Sequence, residues 1–468
     1  MLRHIVKKEI LDTIINAKFV FTFVVCTILI LLSVYAGVGG YILEKREYSA
    51  SVASAKRNLE AKPDYESLAG IGIRVSRAPI ALGAVVSGIE EAVGRVAPVN
   101  VTSDPSLIDS KYDDSPIFAV FGSLDLMFIV KVVLSLFAIL FTYNIIAGEK
   151  EKGTLKLALS NGIARDQFLL GKAIGSYISL LVPLFFSLLL GLLIIIASPD
   201  LALSQDDWVR LILILALFFL YLSVFISLGL FVSSRTASSS TSFLVLLFVW
   251  VIFVMVIPKL AVLIAAQVQP TPSIQEVTAK KDAYLQQLQQ EQMKGFQDWV
   301  MQEASREAKD PKGSQSRLLK FLEEQKKDMT ARLETYNAIV NRDYQMKKLA
   351  QEKLAANISR ISPASDLTFG SMSLAKTGID EYERFLASVR AYKVIYSRWL
   401  NSKIGQSINL QTQKAAKIAL TDMPQHEFAS EPVSKSLLRA IPDFIFMIVM
   451  IIGFFFGAYA SFRRYDVR

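Results

Sequence analysis

Six stretches of the chain run for about 20 or more residues almost without charge, which is the length a helix needs to cross a hydrocarbon core of roughly 30 Å. They are Phe19–Gly40, Phe118–Ala147, Phe168–Ala197, Trp208–Val232, Thr241–Ala265 and Ile441–Phe462. In lipid every backbone N–H and C=O must be paired inside the segment, so the α-helix is the available solution for each. Between them lie polar stretches, above all 41–117 and 266–440, that a bundle of spans does not explain. The expected fold is mainly α: a six-span polytopic membrane protein with a long helical-hairpin ectodomain and a smaller mixed outer domain. Pro183 and Pro258 offer the third and fifth spans places to bend. The first stretch is longer than the apolar region of a secretory leader. It is followed by Glu44, Lys45 and Arg46 rather than a small-residue cleavage site, so it reads as a span.

Composition removes several classes of function. Of 468 residues, 52% are hydrophobic and 20% charged, against about 25% charged in soluble domains. The single cysteine, Cys26, rules out an intrachain disulfide, and the two histidines, His4 and His426, stand at opposite ends of the sequence. A His-rich metal site or a Ser-His-Asp triad is therefore not expected. HExxH, CxxC and GxSxG patterns are missing from the sequence. The nearest imitation of a phosphate-binding loop, Gly162 followed by Gly171-Lys172-Ala173, has the wrong spacing and lacks the hydroxyl that binds Mg²⁺. The chain is thus expected to be no enzyme and to hold no cofactor.

The net charge of +9 suggests nucleic acid until the positions of the charges are examined. Arg3, Lys7, Lys8 and Lys18 precede the first span. Lys150, Lys152, Lys156, Arg165 and Lys172 flank the connection between the second and third spans. Arg235 follows the fourth, and Arg463, Arg464 and Arg468 close the chain. The connection near 199–207 has Asp200, Asp206 and Asp207 and no base. Lys and Arg mark the cytoplasmic side, so both termini are expected inside, 41–117 and 266–440 outside, and no nucleic acid is implied.

The first outer segment mixes small and polar residues with short apolar stretches such as Ile71–Ile73 and Ile80–Val86, which fits a small α/β or irregular domain. In the second, Ile274, Val277, Tyr284, Leu288, Phe296 and Trp299 recur at mostly helical spacing up to Lys309. Asp310-Pro311-Lys312-Gly313 breaks the pattern, and Leu318, Leu322, Met329, Leu333, Tyr336 and Val340 resume it to Ile361. Each helix has a narrow apolar stripe and needs a partner, so the two are expected as an antiparallel hairpin, the first arm about 57 Å long at 1.5 Å per residue. It reads equally as a solvated stalk and as a domain that gates an exit or docks an extracytoplasmic partner.

The most informative stretch is 148–167. Gly148-Glu149-Lys150-Glu151-Lys152-Gly153-Thr154 closes the second span and breaks it, with Thr154 a candidate N-cap. A short element bearing Leu155, Leu157 and Leu159 follows, stopped by Asn161-Gly162, and Arg165-Asp166-Gln167 leads into the third span. The leucines read either as a docking knob or as side chains dipping into the lipid interface. The pattern Glu-x-Glu-x-Gly-Thr-Leu, with an Arg after it and Gly171-Lys172 in the next span, resembles the ABC-2 type permeases, the membrane subunits of type V ABC exporters. That resemblance implies six spans with both termini inside and an amphipathic interface helix over 1–18, with Arg3, Lys7 and Lys8 facing headgroups. It also implies a coupling element comprising Glu149, Glu151, Gly153, Thr154, Leu155, Leu157, Leu159 and Arg165. It implies a separate ABC ATPase that supplies ATP and Mg²⁺, a second permease copy or a homologous permease, and the bacterial inner membrane. Ile361-Ser362-Pro363-Ala364-Ser365-Asp366-Leu367-Thr368 is similar to the Ser-Pro segment that large-loop members have before the last span. Lipid, glycan, peptide and drug exporters share the compact core, so the resemblance assigns no substrate.

Charge inside a membrane is costly and reads as functional by default. Asp125 and Lys131 fall in the second span and Asp443 at the start of the sixth. Six residues separate the first two, so they do not pair along one helix. A cross-helix pair of Lys131 with Asp443 is one expectation, snorkelling to outer headgroups another, and a role in a pathway or gate a third.

Overall fold

The computed structural model describes residues 2–61, 65–100, 105–110, 124–160, 163–307, 314–407 and 422–464. The expected start of the second span at 118–123, the Asn161-Gly162 stop, the break at 310–313 and the tail beyond 464 lie outside the described residues. So does the side chain of Lys18. Six helices are long and apolar enough to cross a membrane: Phe19–Glu60, Leu126–Glu151, Arg165–Ala197, Gln205–Arg235, Ser239–Val268 and Val433–Arg463. They are numbered here as spans one to six. The chain divides into two compact units, one of residues 1–256 with 360–468, the other Ile257–Ser359. The polar stretch 266–440 is therefore not one domain: its last eighty or so residues belong with the spans and not with the hairpin.

In the first unit the N-terminal helix, Leu2–Ile14, lies along span three. Gly171 and Gly175, one turn apart on span three, make the approach possible. A Cβ on Gly171 would stand 2.7 Å from Ile5 Cγ2, and one on Gly175 would stand 2.6 Å from Glu9 Cβ. The helix of span one does not end at Gly40 but runs from Ala17 to Glu60. The change at residue 40 is from apolar to charged, not from helix former to breaker: Leu, Glu, Lys, Arg and Ala follow, with neither Pro nor Gly. The emerging part of this helix carries the small mixed domain. Strands Ile73–Ser76 and Val96–Val99 pair antiparallel with Ile73 opposite Val99 and Ser76 opposite Val96. Arg77, Glu90, Arg95 and Glu44 form a continuous ion network that ties this domain back to the helix of span one.

Spans two and five each contain a π-helical turn, Ile129–Leu134 and Ile252–Val256. A widened turn frees a carbonyl, and in both cases a hydroxyl from elsewhere takes it. Lys131 O accepts from Tyr221 Oη at 2.7 Å and from Ser135 Oγ at 2.6 Å. Trp250 Nε1 donates to that same Ser135 Oγ at 2.8 Å. In span five, Pro258 has no N–H to offer along the widened register, and Ser362 Oγ donates to Phe253 O. Ser362 also caps the helix Pro363–Ala375 by accepting from Ala364 N at 3.2 Å. This short helix packs between spans four and six.

Arg210, on span four, has no exposed surface. Its guanidinium donates to Leu374 O at 2.9 Å, Glu431 O at 2.6 Å and Ser436 Oγ at 2.8 Å. One cation thus closes the C-terminal end of the short helix and the N-terminal end of span six. A second, smaller apolar cluster joins Tyr65, Leu68, Val75 and Val99 to Phe385, Val389, Tyr396 and Leu400 of the helix Ile379–Ser407.

The second unit contains the helices Ile257–Val268, Ile274–Glu307 and Ser314–Ser359. The last two pair in antiparallel register. Tyr284 stacks on Tyr336 with ring centroids 3.9 Å apart, and Trp299 on Phe321 at 5.2 Å. Gln292 and Gln325 each donate to the other's carbonyl at 3.4 Å, and Arg317 Nε meets Glu303 at 2.7 Å. The inward positions Val277, Leu288 and Trp299 repeat every 11 residues. That spacing, 3.67 residues per turn, holds two helices together without the left-handed supercoil of a heptad pair. Ile274 and Leu322, expected in the seam, are exposed.

Replacing Arg210 by Met is expected to strand three buried acceptors and cost at least about 3 kcal/mol, because hydrogen bonds from charged donors are the strong ones. A thermal unfolding midpoint in detergent that stays at the wild-type value would contradict this account of the Arg210 junction.

Candidate functional site

The expected coupling residues assemble at one end of the spans. Span two ends in the helix Ala147–Glu151. Gly153 turns the chain at φ 73°, and the helix Thr154–Ser160 follows. A positive φ is easily adopted by glycine, so the turn is encoded locally. Thr154 is not the N-cap but the first residue of its helix, and its hydroxyl donates to the Glu149 carboxylate instead. The carboxylate wins because Glu149 is fixed one turn earlier and offers a charged acceptor.

Glu149 is held from a second direction by Lys172 of span three, whose ammonium also contacts Glu9 of the N-terminal helix. The distances are 3.0 Å to Glu149 and 2.7 Å to Glu9. Lys172 is 9% exposed at its side chain, so a buried ammonium joins three elements. Glu151 accepts from Ser239 N at 3.0 Å and Ser239 Oγ at 2.7 Å, which satisfies donors at the start of span five. Lys150 donates to Ser234 O and Thr236 O at the end of span four. Ser233 Oγ accepts from Ile146 N at 3.0 Å and Ala147 N at 2.9 Å. Arg165 donates to Phe462 O and Arg463 O at the end of span six, and Phe168 stacks on Phe462 at 5.6 Å. The short element between spans two and three is thereby fastened to the N-terminal helix and to spans three, four and five, while Arg165 just beyond it holds span six.

The three leucines part company. Leu155 has no exposed surface and belongs to the apolar core of the spans, and Leu159 packs against that core. Leu157 is 66% exposed, beside the exposed Lys156 and Ser160. The knob is one leucine wide, because helical spacing places 155 and 159 on one face and 157 on the other. Arg3, Lys7 and Lys8 lie exposed on the N-terminal helix, whose other face meets span three.

Among the described residues no ion pair joins Asp125, Lys131 and Asp443 to one another, although Asp125 and Lys131 lie within electrostatic reach. Asp125 is buried and caps span two, accepting from Phe128 N at 2.8 Å and from Ser87 N and Oγ at 3.0 Å each. Lys131 lies in the π-helical turn. Asp443 is 1% exposed and pairs with Arg360 Nε at 2.9 Å, so neither the Lys131 pair nor snorkelling of Asp443 is found. Arg360 wins because it lies beside the short helix that packs on span six, a proximity no sequence spacing announces. Sequence reasoning also missed Glu9 and Arg210. Each had a signal, a lone charge on an otherwise apolar helical face, but only the fold supplied its partner.

Replacing Lys172 by Met leaves two carboxylates facing one buried gap, and the expected loss is about 3 kcal/mol or more. Neutralising all three groups as Glu9→Gln, Lys172→Met and Glu149→Gln is expected to recover most of it. Unfolding midpoints of the single and triple variants in detergent measure the difference, and a triple variant no more stable than the single would exclude a charge triad.

The family model described as ABC-2 family transporter protein matches residues 3–467. No curated protein matches the chain. The match takes in the six spans, the fastened turn between spans two and three and the hairpin insertion alike. The chain belongs to the ABC-2 family of transporter permeases.

Proposed function

We propose that this permease is the membrane-spanning half of an ATP-driven exporter and that Ala147–Ser160 docks on a separate ABC ATPase. The reading rests on one observation above all: Leu157 stands exposed on the turn after Ala147–Glu151, whose charged side chains bond to the helices it would have to move. A push on Thr154–Ser160 passes through Glu149 and Lys172 to span three and the N-terminal helix. It passes through Glu151 to span five and through Lys150 to span four. An element tied at so many points transmits displacement and absorbs little of it. ATP and Mg²⁺ would sit on the partner, and this chain would have no catalytic role of its own.

The same reading makes the molecule a dimer, of two copies or of this chain and a similar permease, with the pathway between the halves. On this reading both termini and the docking turn lie on the cytoplasmic side of a bacterial inner membrane and the mixed domain and the hairpin outside, an orientation the Lys and Arg distribution supports. Arg3, Lys7 and Lys8 are exposed for contact with headgroups. A second reading, in which the permease acts on an extracytoplasmic partner through its hairpin, draws on the hairpin being a compact unit with helices of 34 and 46 residues.

Leu157→Glu is expected to reduce co-purification with the ATPase and permease-stimulated ATP turnover by about tenfold or more while the unfolding midpoint stays put, because an exposed position carries little stability. Leu155→Glu is expected to lower that midpoint instead. Stimulated turnover that survives Leu157→Glu unchanged would remove the docking assignment. For the hairpin, shortening both helices equally around the Gln292–Gln325 layer separates the two readings: transport persists if the hairpin only decorates the exporter, and is lost if it acts on a partner.

A further inference from the structure

Asp366, on the short helix Pro363–Ala375, has no exposed surface, and neither of its carboxylate oxygens meets a hydrogen-bond donor among the described residues. One turn further along the same face is Gly370, and Asp443 of span six lies against it. A Cβ on Gly370 would stand 3.5 Å from Asp443 Cβ and 3.6 Å from Asp443 Oδ2. Asp443 Oδ1 is held by Arg360, while Oδ2 has no donor. The missing Cβ of Gly370 leaves room for the Asp443 side chain against the helix that carries Asp366.

Among the described residues, several charges on the surrounding elements are committed elsewhere. Span four contributes Arg210, which serves Leu374 O at the far end of the short helix, and Asp207, which faces Lys376 at 3.5 Å. The π-helical turn of span five, Ile252–Val256, contributes no titratable group. On span six, Arg439 faces Glu431 and Asp380. Among the described residues, the ion pair at these two sealed carboxyl groups comes from one guanidinium, that of Arg360. Adjacent carboxylates away from water do not both remain ionised, and an ionised carboxylate with no donor carries its full desolvation penalty.

We propose that Asp366 and Asp443 form a binding site for one proton, carried on the Asp366 carboxyl. Binding converts one Asp366 oxygen from an acceptor into a donor, and Asp443 Oδ2 is the free acceptor on the same face. Asp443 keeps Arg360. When the proton leaves, Arg360 faces two anions. Arg360 directly follows Ser359, the last residue of the hairpin's second helix, so the proton sets the charge balance at the residue where the hairpin's chain rejoins the spans. The ligand is the hydrogen ion itself.

Burial pushes the Asp366 carboxyl up to about 8, with the charge of Asp443 adding to the rise. The folded value is above the unfolded value of about 3.9. Between the two the folded chain binds more protons than the unfolded one, so stability falls as pH rises and levels off above the folded value.

The test uses the full chain in lipid nanodiscs between about pH 7 and about pH 10. It reads thermal midpoints and the infrared carbonyl stretch of a protonated carboxylic acid. Wild type is expected to lose stability with rising pH while its acid band titrates away. Asp366→Asn is expected to lack that band and to hold one midpoint throughout, close to that of wild type at low pH. In Asp443→Asn, Arg360 is left to Asp366, and the band should titrate about one pH unit lower or more. If Asp366→Asn does not fold, this shift decides the matter. A wild type without a titrating acid band, an Asp366→Asn variant with the wild-type profile, or a band unmoved in Asp443→Asn would each overturn the proposal.

Discussion

The arrangement at the docking end depends on one buried ammonium. Lys172 is committed to Glu9 and Glu149, and a charge taken out of water at a cost of several kcal/mol is tolerated only with partners of this kind. Neither carboxylate can move without uncovering it. Because Glu9 is on the N-terminal helix, Glu149 on the connecting turn and Lys172 on span three, three elements behave as one body. Gly171 and Gly175 let the N-terminal helix come close enough for Glu9 to reach. The glycines and the charge act together, since the ion pair needs the close approach and the close approach needs the missing side chains.

The same economy recurs where helix ends meet. Glu151 satisfies donors of span five, Lys150 and Arg165 satisfy terminal carbonyls of spans four and six, and Arg210 satisfies two carbonyls and a hydroxyl. Helix termini leave backbone groups unpaired, and away from water those groups require partners. Charged side chains supply them here, so Glu149, Lys150, Glu151 and Arg165 also fasten helices to one another. Only Leu157 and its exposed neighbours are left to face outward. The proposed docking face is thus separate from the ion pairs and hydrogen bonds that join the helices. Asp366 departs from the pattern, being a buried acid that meets no hydrogen-bond donor among the described residues, and the proposed proton site starts from that departure.

The spans were legible because their cause is local. A run of some twenty apolar residues has one way to pair its backbone in lipid, whatever else the chain does. The hairpin was legible for a similar reason: 3.6-residue periodicity interrupted by Pro and Gly needs no knowledge of distant residues. The end of span one was not, because hydropathy marks where a helix leaves lipid and not where it stops, and 41–60 continues as helix. The division of 266–440 was hidden as well. Residues 360–407 are as helical in pattern as the hairpin, and only the partners of Phe385, Val389 and Leu400 in the mixed domain reveal where they belong.

By itself, then, the sequence determined the six apolar spans, the glycine turn at 153 and the pairing of the two hairpin helices, all consequences of backbone chemistry and short-range periodicity. Tertiary structure decided which charges meet. Lys172 lies 163 residues from Glu9 and 23 from Glu149, and Arg360 lies 83 residues from Asp443. An ion pair depends on distance in space, and for residues so far apart in the chain that distance exists only once the helices have packed.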